Sequence, residues 1–235
     1  AGVNAALKIQ GREPLILTRD TSYIGTLIDD LVTKGTQEPY RIMTSRSEYR
    51  LLHRQDNADQ RLTAIGAAIG LVPQQRARQV EEKYQAVRRE RSRLESSGVP
   101  ASDALNRMLA QRGSAPVTGS ARLADLLRRP EVCYGDLLPF DAENPGLPQA
   151  VTEEVEIQIK YAGYLLRQER QVAEFKKEEA RLLPKDLDYQ SIKGLRLEAQ
   201  QKLSQIRPLS IGQAGRISGV SPADIAVLLI YLEQR

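Results

Sequence analysis

The longest periodic stretch of the sequence, VTEEVEIQIKYAGYLLRQERQVAEFKKEEARLLP, restricts the possible folds more than any other feature. Its apolar side chains keep the three-and-four spacing of one face of an α-helix. That stripe consists of Val151, Val155, Ile159, Ala162, Leu166 and Val172. Pro184 is expected to end the helix, and Tyr161 and Tyr164, which lie off the stripe, are expected to pack against neighbouring helices, with stacking on a nucleic-acid base as the alternative. Since strand-type alternation is almost absent elsewhere, we predict a mainly α, multi-helix fold.

The rest of the chain divides into shorter predicted elements. Helices are expected at residues 1–10, 22–34, 62–69 and 73–97, and three short helices at residues 195–235 form a small terminal subdomain. Little extended structure is expected, and it lies near the N-terminus at Pro14 to Thr18. The glycine- and proline-punctuated residues 100–148 are expected to be a loop-rich connector of short helices, with Ser102 and Ser120 as helix caps.

Composition excludes several kinds of chemistry. The single cysteine, Cys133, rules out an internal disulfide framework and a cysteine-based zinc site. No apolar run approaches the roughly 20 residues that a membrane span needs, so a cytoplasmic protein is expected. The one histidine, His53, is expected to be a surface or packing residue. Asp29 and Asp30 are adjacent and would point in different directions on a helix, which makes them a poor metal pair. We predict no catalytic residue and no metal site in this chain.

The strongest functional signal is PYRIMTSRSEYRLLHRQDNADQRLT, residues 39–63, which we call the arginine segment. It contains five arginines and no lysine, and Arg46, Arg50 and Arg54 recur at intervals of four. On a helix this spacing would align their guanidinium groups on one face. Guanidinium groups suit bidentate contacts with phosphates, so the five arginines indicate a surface for a polyanion, with a solvated Arg/Glu-rich face as the alternative. We expect some of the arginines to be held instead in intramolecular ion pairs that fix the loop NADQRLT.

The tail offers a different interpretation of the last residues. The stretch ISGVSPADIAVLL resembles the second half of a helix-turn-helix, and Ser221 is placed to cap a helix that begins at Pro222. Asp224, however, stands in the turn that would approach DNA, where it would repel phosphate, so DNA readout is disfavoured. The apolar set better fits a small bundle core or a groove for a partner helix. It consists of Ile225, Leu228, Leu229 and Leu232.

The arginine segment, with Glu38 before it, closely resembles the signature of the MnmG (GidA) family, which modifies the wobble uridine of certain tRNAs. GVNAALKIQGREPLILTRDTSYIGTLIDDLVTKGT resembles the end of that family's flavin domain, VEIQIKYAGYLLRQ its long helix, and SIGQAGRISGVSPADIAVLLIYL its C-terminal subdomain. Because the chain begins without methionine inside a helix-competent run, we expect a piece of a longer polypeptide. The resemblance implies three regions: residues 1–36, the end of the FAD-binding domain; 37–148, a helical domain with the arginine signature; and 149–235, a helical subdomain for partner docking.

The resemblance also implies function. The full-length enzyme would bind FAD, use NADH, form a homodimer and, with the GTPase MnmE, add a carboxymethylaminomethyl group to C5 of the wobble uridine U34. The dinucleotide fingerprint would lie outside this chain, so we expect the chain alone to be inactive and to bind no cofactor, with Gly2 and Asn4 acting only indirectly on the flavin. Expected tRNA contacts are Arg41, Arg46, Arg50, Arg54 and Arg61. Expected MnmE-docking residues are Arg216, Ile225, Leu229 and Leu232. The alternative is a structural brace and protein-docking module without direct RNA contact.

Overall fold

The computed structural model describes residues 1–233, and they are mainly helical. Helices account for 58% of the structure and strands for 3%, which confirms the predicted fold class. The chain divides into two compact units: the first consists of residues 1–53 and the residues from 167 onward, and the second of residues 54–166. Within the described part of the chain, no helix is both long enough and apolar enough to cross a membrane.

The helices follow one another with little extended structure between them. In chain order they are α1 (Gly2–Ile9), α2 (Tyr23–Thr33), α3 (Ala58–Ala68), α4 (Gln74–Ser96), α5 (Asp103–Gln111), α6 (Leu123–Leu127), α7 (Tyr134–Leu137), α8 (Gln149–Ala180), α9 (Leu197–Ile206), α10 (Ile211–Gly215) and α11 (Pro222–Glu233). The strands β1 (Gly98–Val99) and β2 (Ala121–Arg122) pair antiparallel, with Gly98 opposite Arg122. Short 3₁₀ turns occupy Thr44–Arg46 and Leu138–Phe140.

The N-terminal residues form α1 and α2 as predicted. The Ser22 hydroxyl caps α2 by accepting the Gly25 N–H at 3.0 Å. The expected extended piece at residues 14–18 is not a strand in the structure. Instead, the Asn4 side chain of α1 accepts the Leu15 N–H at 2.8 Å and donates to the Leu15 carbonyl at 2.9 Å. The amide of Asn4 therefore takes the place of a strand partner for this part of the backbone.

The second unit has its core around α4. The predicted apolar face of this helix is buried, with Val87 and Leu94 almost inaccessible to solvent. The predicted short helices within residues 100–148 are present as α5, α6 and α7 with irregular stretches between them, and the recurring leucines, such as Leu105 and Leu126, are fully buried in the same core. Ser102 caps α5 as predicted. Ser120 does not cap a helix, because the two residues after it pair as a strand before α6 begins.

The predicted long helix is α8, which ends shortly before Pro184. Its first turns bury Val151, Val155 and Ile159, as the stripe indicates. Farther along, Tyr161 and Tyr164 are 41% and 59% exposed, with ring centroids 6.4 Å apart. The prediction that they pack against neighbouring helices is therefore wrong within the described structure, and the stacking alternative stays a prediction.

The helices α9, α10 and α11 form the predicted small terminal subdomain, which we call the terminal bundle. Its core includes Leu203 and Leu228, both fully buried. At the start of α11, Ser221 and Asp224 exchange backbone-to-side-chain hydrogen bonds of 2.8 and 3.3 Å, which confirms the predicted start signal. The last two residues of the predicted helix, 234 and 235, lie outside the described residues.

Asp224 also forms an ion pair within the terminal bundle. Its carboxylate accepts hydrogen bonds from the Arg196 guanidinium, the shortest at 2.6 Å. These bonds from Arg196 and those from Ser221 outweigh the opposing effect of burial and hold the pKa of Asp224 far below its usual value. The Asp224 carboxylate, whose charge argued against phosphate contact at this turn, is thus paired with Arg196 inside the terminal bundle.

Candidate nucleic-acid interface

The arginine segment does not form the helix that its spacing would permit. Its backbone consists of a single 3₁₀ turn and further turns until α3 begins at Ala58. Ser47 and Tyr49 are buried while Glu48 between them and Arg50 after them are exposed, an alternation that a regular helix would not produce. Residues 39–53, the first half of the segment, belong to the first unit, and residues 54–63, the second half, belong to the second unit. The two halves hold their arginines differently.

A buried arginine outside the segment anchors the first half. The Arg19 guanidinium is 2% exposed and donates to Glu48 at 2.6 Å and to Asp30 at 2.8 Å. Burial disfavours its charge, but the hydrogen bonds that Arg19 donates to Glu48 and Asp30 outweigh this effect and raise the pKa of Arg19 above its usual value. The Tyr40 hydroxyl also donates to Asp30, at 2.8 Å. Asp30 of helix α2 therefore holds Tyr40 directly and holds Glu48 indirectly, through Arg19.

Two further side chains complete this anchoring. The Gln168 amide of α8 accepts the Leu52 N–H at 3.2 Å and donates to the Glu48 carbonyl at 3.1 Å. The His53 ring lies within hydrogen-bonding distance of the Ser47 hydroxyl at 3.2 Å and of a backbone carbonyl at 3.0 Å. The histidine is thus a packing and anchoring residue, as predicted.

The arginines of the first half extend from this fixed backbone. Arg41 is 71% exposed and forms a long, solvent-exposed contact of 3.4 Å with Glu38. Arg50 is exposed, and no described acidic side chain forms an ion pair with it. Arg46 is half-buried with its guanidinium 4.4 Å from the Tyr40 ring centroid, a cation–π contact, and its Nε has no hydrogen-bond partner among the described residues. The first half therefore presents two accessible guanidinium groups on an ordered loop.

The arginines of the second half are engaged within their own unit. Arg54 forms a forked pair with Asp56, with an Nη2 to Oδ2 distance of 2.9 Å, and its Nη2 lies 3.9 Å from the buried Glu154. Arg61 donates to Asn57 Oδ1 at 3.0 Å and to the Arg54 carbonyl at 3.3 Å. Burial and the nearby Arg54 charge lower the pKa of Arg61. The expected intramolecular ion pair is thus present at Arg54, but the expected loop NADQRLT is mostly helical, because α3 begins at Ala58.

The first unit also contains a cavity of about 690 Å³ beside the terminal bundle. Its lining includes Glu48, Tyr49, Phe175, Arg216, Ile225 and Leu229. Three of the expected docking residues are in this lining, while Leu232 is partly buried against the bundle core. The Arg216 guanidinium is already paired with two carboxylates, Asp29 and Glu179.

Several residues that shape this region had no signal in the sequence. Arg19 bonds Glu48 across 29 positions, and Gln168 bonds the same residue across 120. No local pattern reports such distant partners. The adjacent Asp29 and Asp30 both accept hydrogen bonds from arginine side chains. Within residues 1–233, no group of three or more histidine, cysteine, aspartate or glutamate side chains is arranged to hold a metal ion.

The fold and this region together define a helical domain protein with an anchored arginine loop and a terminal helical bundle. Two family models match most of the chain: the tRNA modifying enzyme MnmG/GidA C-terminal helical domain at residues 74–169 and the MnmG/GidA C-terminal helical bundle at residues 171–235. The chain belongs to the MnmG/GidA family of tRNA-modifying enzymes and corresponds to its C-terminal part.

Individual relatives agree with this assignment. The tRNA uridine 5-carboxymethylaminomethyl modification enzymes MnmG of Caldicellulosiruptor saccharolyticus and Heliobacterium modesticaldum are 56% and 55% identical over this whole chain, which covers 37% and 38% of their lengths. The structure of Aquifex aeolicus GidA superposes with a TM-score of 0.82 at 41% identity, over 99% of this chain and 36% of that one. The chain thus spans little more than a third of the length of these relatives.

Proposed function

We propose that this chain is the tRNA- and partner-binding part of a flavoenzyme that modifies the wobble uridine. The complete enzyme, a cytoplasmic homodimer, uses FAD and NADH and, with the GTPase MnmE, adds a carboxymethylaminomethyl group to C5 of U34. The support is family membership and the names of the relatives, which are tRNA modification enzymes. The role of this chain within that enzyme is argued from its own residues.

The described residues do not by themselves fit a flavin dinucleotide. The chain has no glycine-rich phosphate loop after a strand. Both polar atoms of the Asn4 amide are bonded to Leu15, so this side chain is not free to hold a cofactor. No step of the chemistry is therefore assigned to this chain, and the isolated chain is expected to remain colourless when it is purified.

One observation carries the RNA proposal: the first half of the arginine segment is fixed from beneath, while Arg41 and Arg50 stay exposed. A loop held by Arg19 and Gln168 loses little conformational freedom when it binds a ligand. Within residues 1–233, Arg41 meets Glu38 only at 3.4 Å and no acidic side chain pairs with Arg50, so both guanidinium groups can form forked contacts with phosphate. We assign tRNA phosphate contact first to Arg41 and Arg50, with Arg46 beside them.

The alternative, a structural brace without RNA contact, is favoured by the second half. Arg54 and Arg61 use their guanidinium groups to order the turn before α3. Substitution of Arg54 or Arg61 should therefore lower the stability of the chain and have a smaller effect on its affinity for RNA. They therefore separate the two functions experimentally.

The test compares two charge-reversal pairs in the same chain. Arg41→Glu with Arg50→Glu removes the proposed phosphate contacts, while Arg88→Glu with Arg91→Glu makes the same change in net charge on the exposed face of α4. Titration with unmodified tRNA at several salt concentrations measures both affinity and its salt dependence. We expect the first pair to weaken binding and to reduce the slope of log K against log salt by about two, since about one counterion is released for each phosphate contact.

The control pair should leave that slope near the wild-type value. If the two pairs weaken tRNA binding equally, only net charge matters and direct contact is refuted. If neither pair alters binding, the brace is the better description of the arginine segment.

The second part of the proposal is that the terminal bundle docks MnmE. Ile225, Leu229 and Leu232 are only partly buried against the bundle core, so their outer surfaces are available for an apolar contact. Arg216 lies in the same lining and contributes through its stem and its fixed charge. This arrangement is typical of a groove that receives a partner helix.

A further inference from the structure

Arg216 joins three elements of the first unit. From the end of α10, its Nε and Nη2 donate to the two Asp29 oxygens of α2 at 2.7 and 3.0 Å. Its Nη1 donates to Glu179 of α8 at 2.6 Å. The guanidinium carbon also lies 5.2 Å from the centroid of the Phe175 ring. Only the planar fork of an arginine can make these contacts at once.

The first route from Arg216 to the arginine segment is ionic. The same Asp29 oxygen that accepts Arg216 Nε also accepts Arg19 Nη1 at 3.1 Å. Arg19, in turn, donates through Nη2 to Glu48 at 2.6 Å. Cation and carboxylate thus alternate along an unbroken row from the terminal bundle to the arginine segment.

The second route runs through aromatic rings. The Phe175 ring, which meets Arg216 on one side, packs edge-on against the Tyr49 ring with centroids 5.8 Å apart. Tyr49 is buried. The two routes therefore end on neighbouring residues, Glu48 and Tyr49, immediately before the exposed Arg50.

The first half of the arginine segment depends on such contacts more than a helix would. Among the described residues, its backbone hydrogen bonds form the 3₁₀ turn at Thr44–Arg46 and a turn in which the Tyr49 carbonyl accepts the Leu52 and His53 N–H groups. A segment ordered mainly by side-chain contacts opens locally at lower free energy than a core helix does. Loss of a contact at its base should therefore appear there first.

We propose that Arg216 is a positioning residue for the arginine segment: from the terminal bundle, through Asp29 and Arg19 and through Phe175, it holds Glu48 and Tyr49 and thereby orients Arg50. The consequence for RNA rests on the function proposed above. A partner that docks in the adjoining cavity would touch both ends of this connection, since Tyr49 and Arg216 share its lining. Docking and RNA binding are then energetically linked.

The test measures amide hydrogen exchange in the complete chain for Arg216→Gln and for a matched control, Arg196→Gln. Both changes break an ion pair between an arginine of the terminal bundle and a carboxylate. Arg196, however, pairs with Asp224 inside the bundle and does not connect to the arginine segment. We expect Arg216→Gln to speed exchange in residues 39–53 by at least tenfold, with α9 and α11 much less affected. Arg196→Gln should speed exchange in the bundle and leave residues 39–53 near wild type.

Unchanged exchange in residues 39–53 of Arg216→Gln would overturn the proposal, as would equal acceleration in Arg196→Gln. Arg216→Lys keeps the charge but not the fork, so it should also speed exchange in these residues and not restore the wild-type rate. If Arg216→Gln does not fold, Asp29→Asn interrupts the ionic route from its middle and should produce the same local pattern.

A tRNA titration of the same variants separates this proposal from the one on which it rests. Faster exchange in residues 39–53 together with weaker tRNA binding supports both. Faster exchange with unchanged tRNA affinity refutes RNA contact by the arginine segment and still supports the positioning role of Arg216.

Discussion

Replacement of Arg19 by methionine should destabilise the first unit by a predictable amount. The side chain is 2% exposed and donates to Asp29, Asp30 and Glu48. Methionine has a similar length, so the loss is mainly of charge and hydrogen bonds rather than of volume. Removing one partner from a buried ion pair typically costs about 3 to 5 kcal/mol, because it leaves an uncompensated charge.

The structure places Arg19→Met at the lower end of that range. Asp29 keeps Arg216, and Asp30 keeps the Lys34 ammonium at 2.9 Å. Glu48 is 49% exposed and can be solvated again. No acidic group is left both buried and without a partner, so we expect a loss of about 3 kcal/mol in the free energy of unfolding.

Hydrogen exchange under increasing urea is the suitable assay, because it reports the opening of each unit separately and does not assume a single transition for the whole chain. The control is Arg88→Met, which breaks an exposed pair with Glu81 on α4 and should change stability by less than about 0.5 kcal/mol. A loss for Arg19→Met as small as that of the control would show that the buried pairs contribute no net stability. A loss spread equally over residues 54–166 would show that Arg19 does not act on the first unit alone.

Two further predictions concern acid stability and docking. Burial alone would raise the pKa of Asp30, but hydrogen bonds from Lys34 and other donors outweigh burial and lower it. The ionised carboxylate therefore stabilises the fold above about pH 4, and this stabilisation is lost as the pH falls through the lowered pKa. Asp30→Asn should therefore be less stable than the wild type at pH 7, and its free energy of unfolding should fall less steeply as the pH is lowered. Parallel curves of unfolding free energy against pH for variant and wild type would contradict this. Leu229→Asp should weaken MnmE binding in a pull-down, while Ile230→Asp, at a residue of α11 that is 56% exposed, should not. Both variants must retain a helical circular dichroism spectrum. Equal binding by both variants would argue against the proposed docking face.

Much of the local structure could be predicted from the sequence because its causes are local. A serine hydroxyl that accepts the backbone N–H three residues later favours the start of a helix, as at Ser22, Ser102 and Ser221. The apolar face of α4 follows from the same period that places its side chains on one side. The short helices of residues 100–148 could be predicted because glycine and proline break helices into short pieces, but only the structure shows that their leucines belong to the core around α4.

The arginine segment shows what the sequence by itself determined and what only the tertiary structure decided. Its composition was enough to indicate a polyanion surface and to predict pairing near Asp56, because those residues are neighbours along the chain. Only the fold brings Arg19 and Gln168 to Glu48, close to the exposed Arg50, and the pair between Arg216 and Asp29 spans 187 positions. A guanidinium group has similar intrinsic affinity for any nearby carboxylate, so folding, by choosing its neighbours, decides whether an arginine is exposed to solvent or held inside the protein.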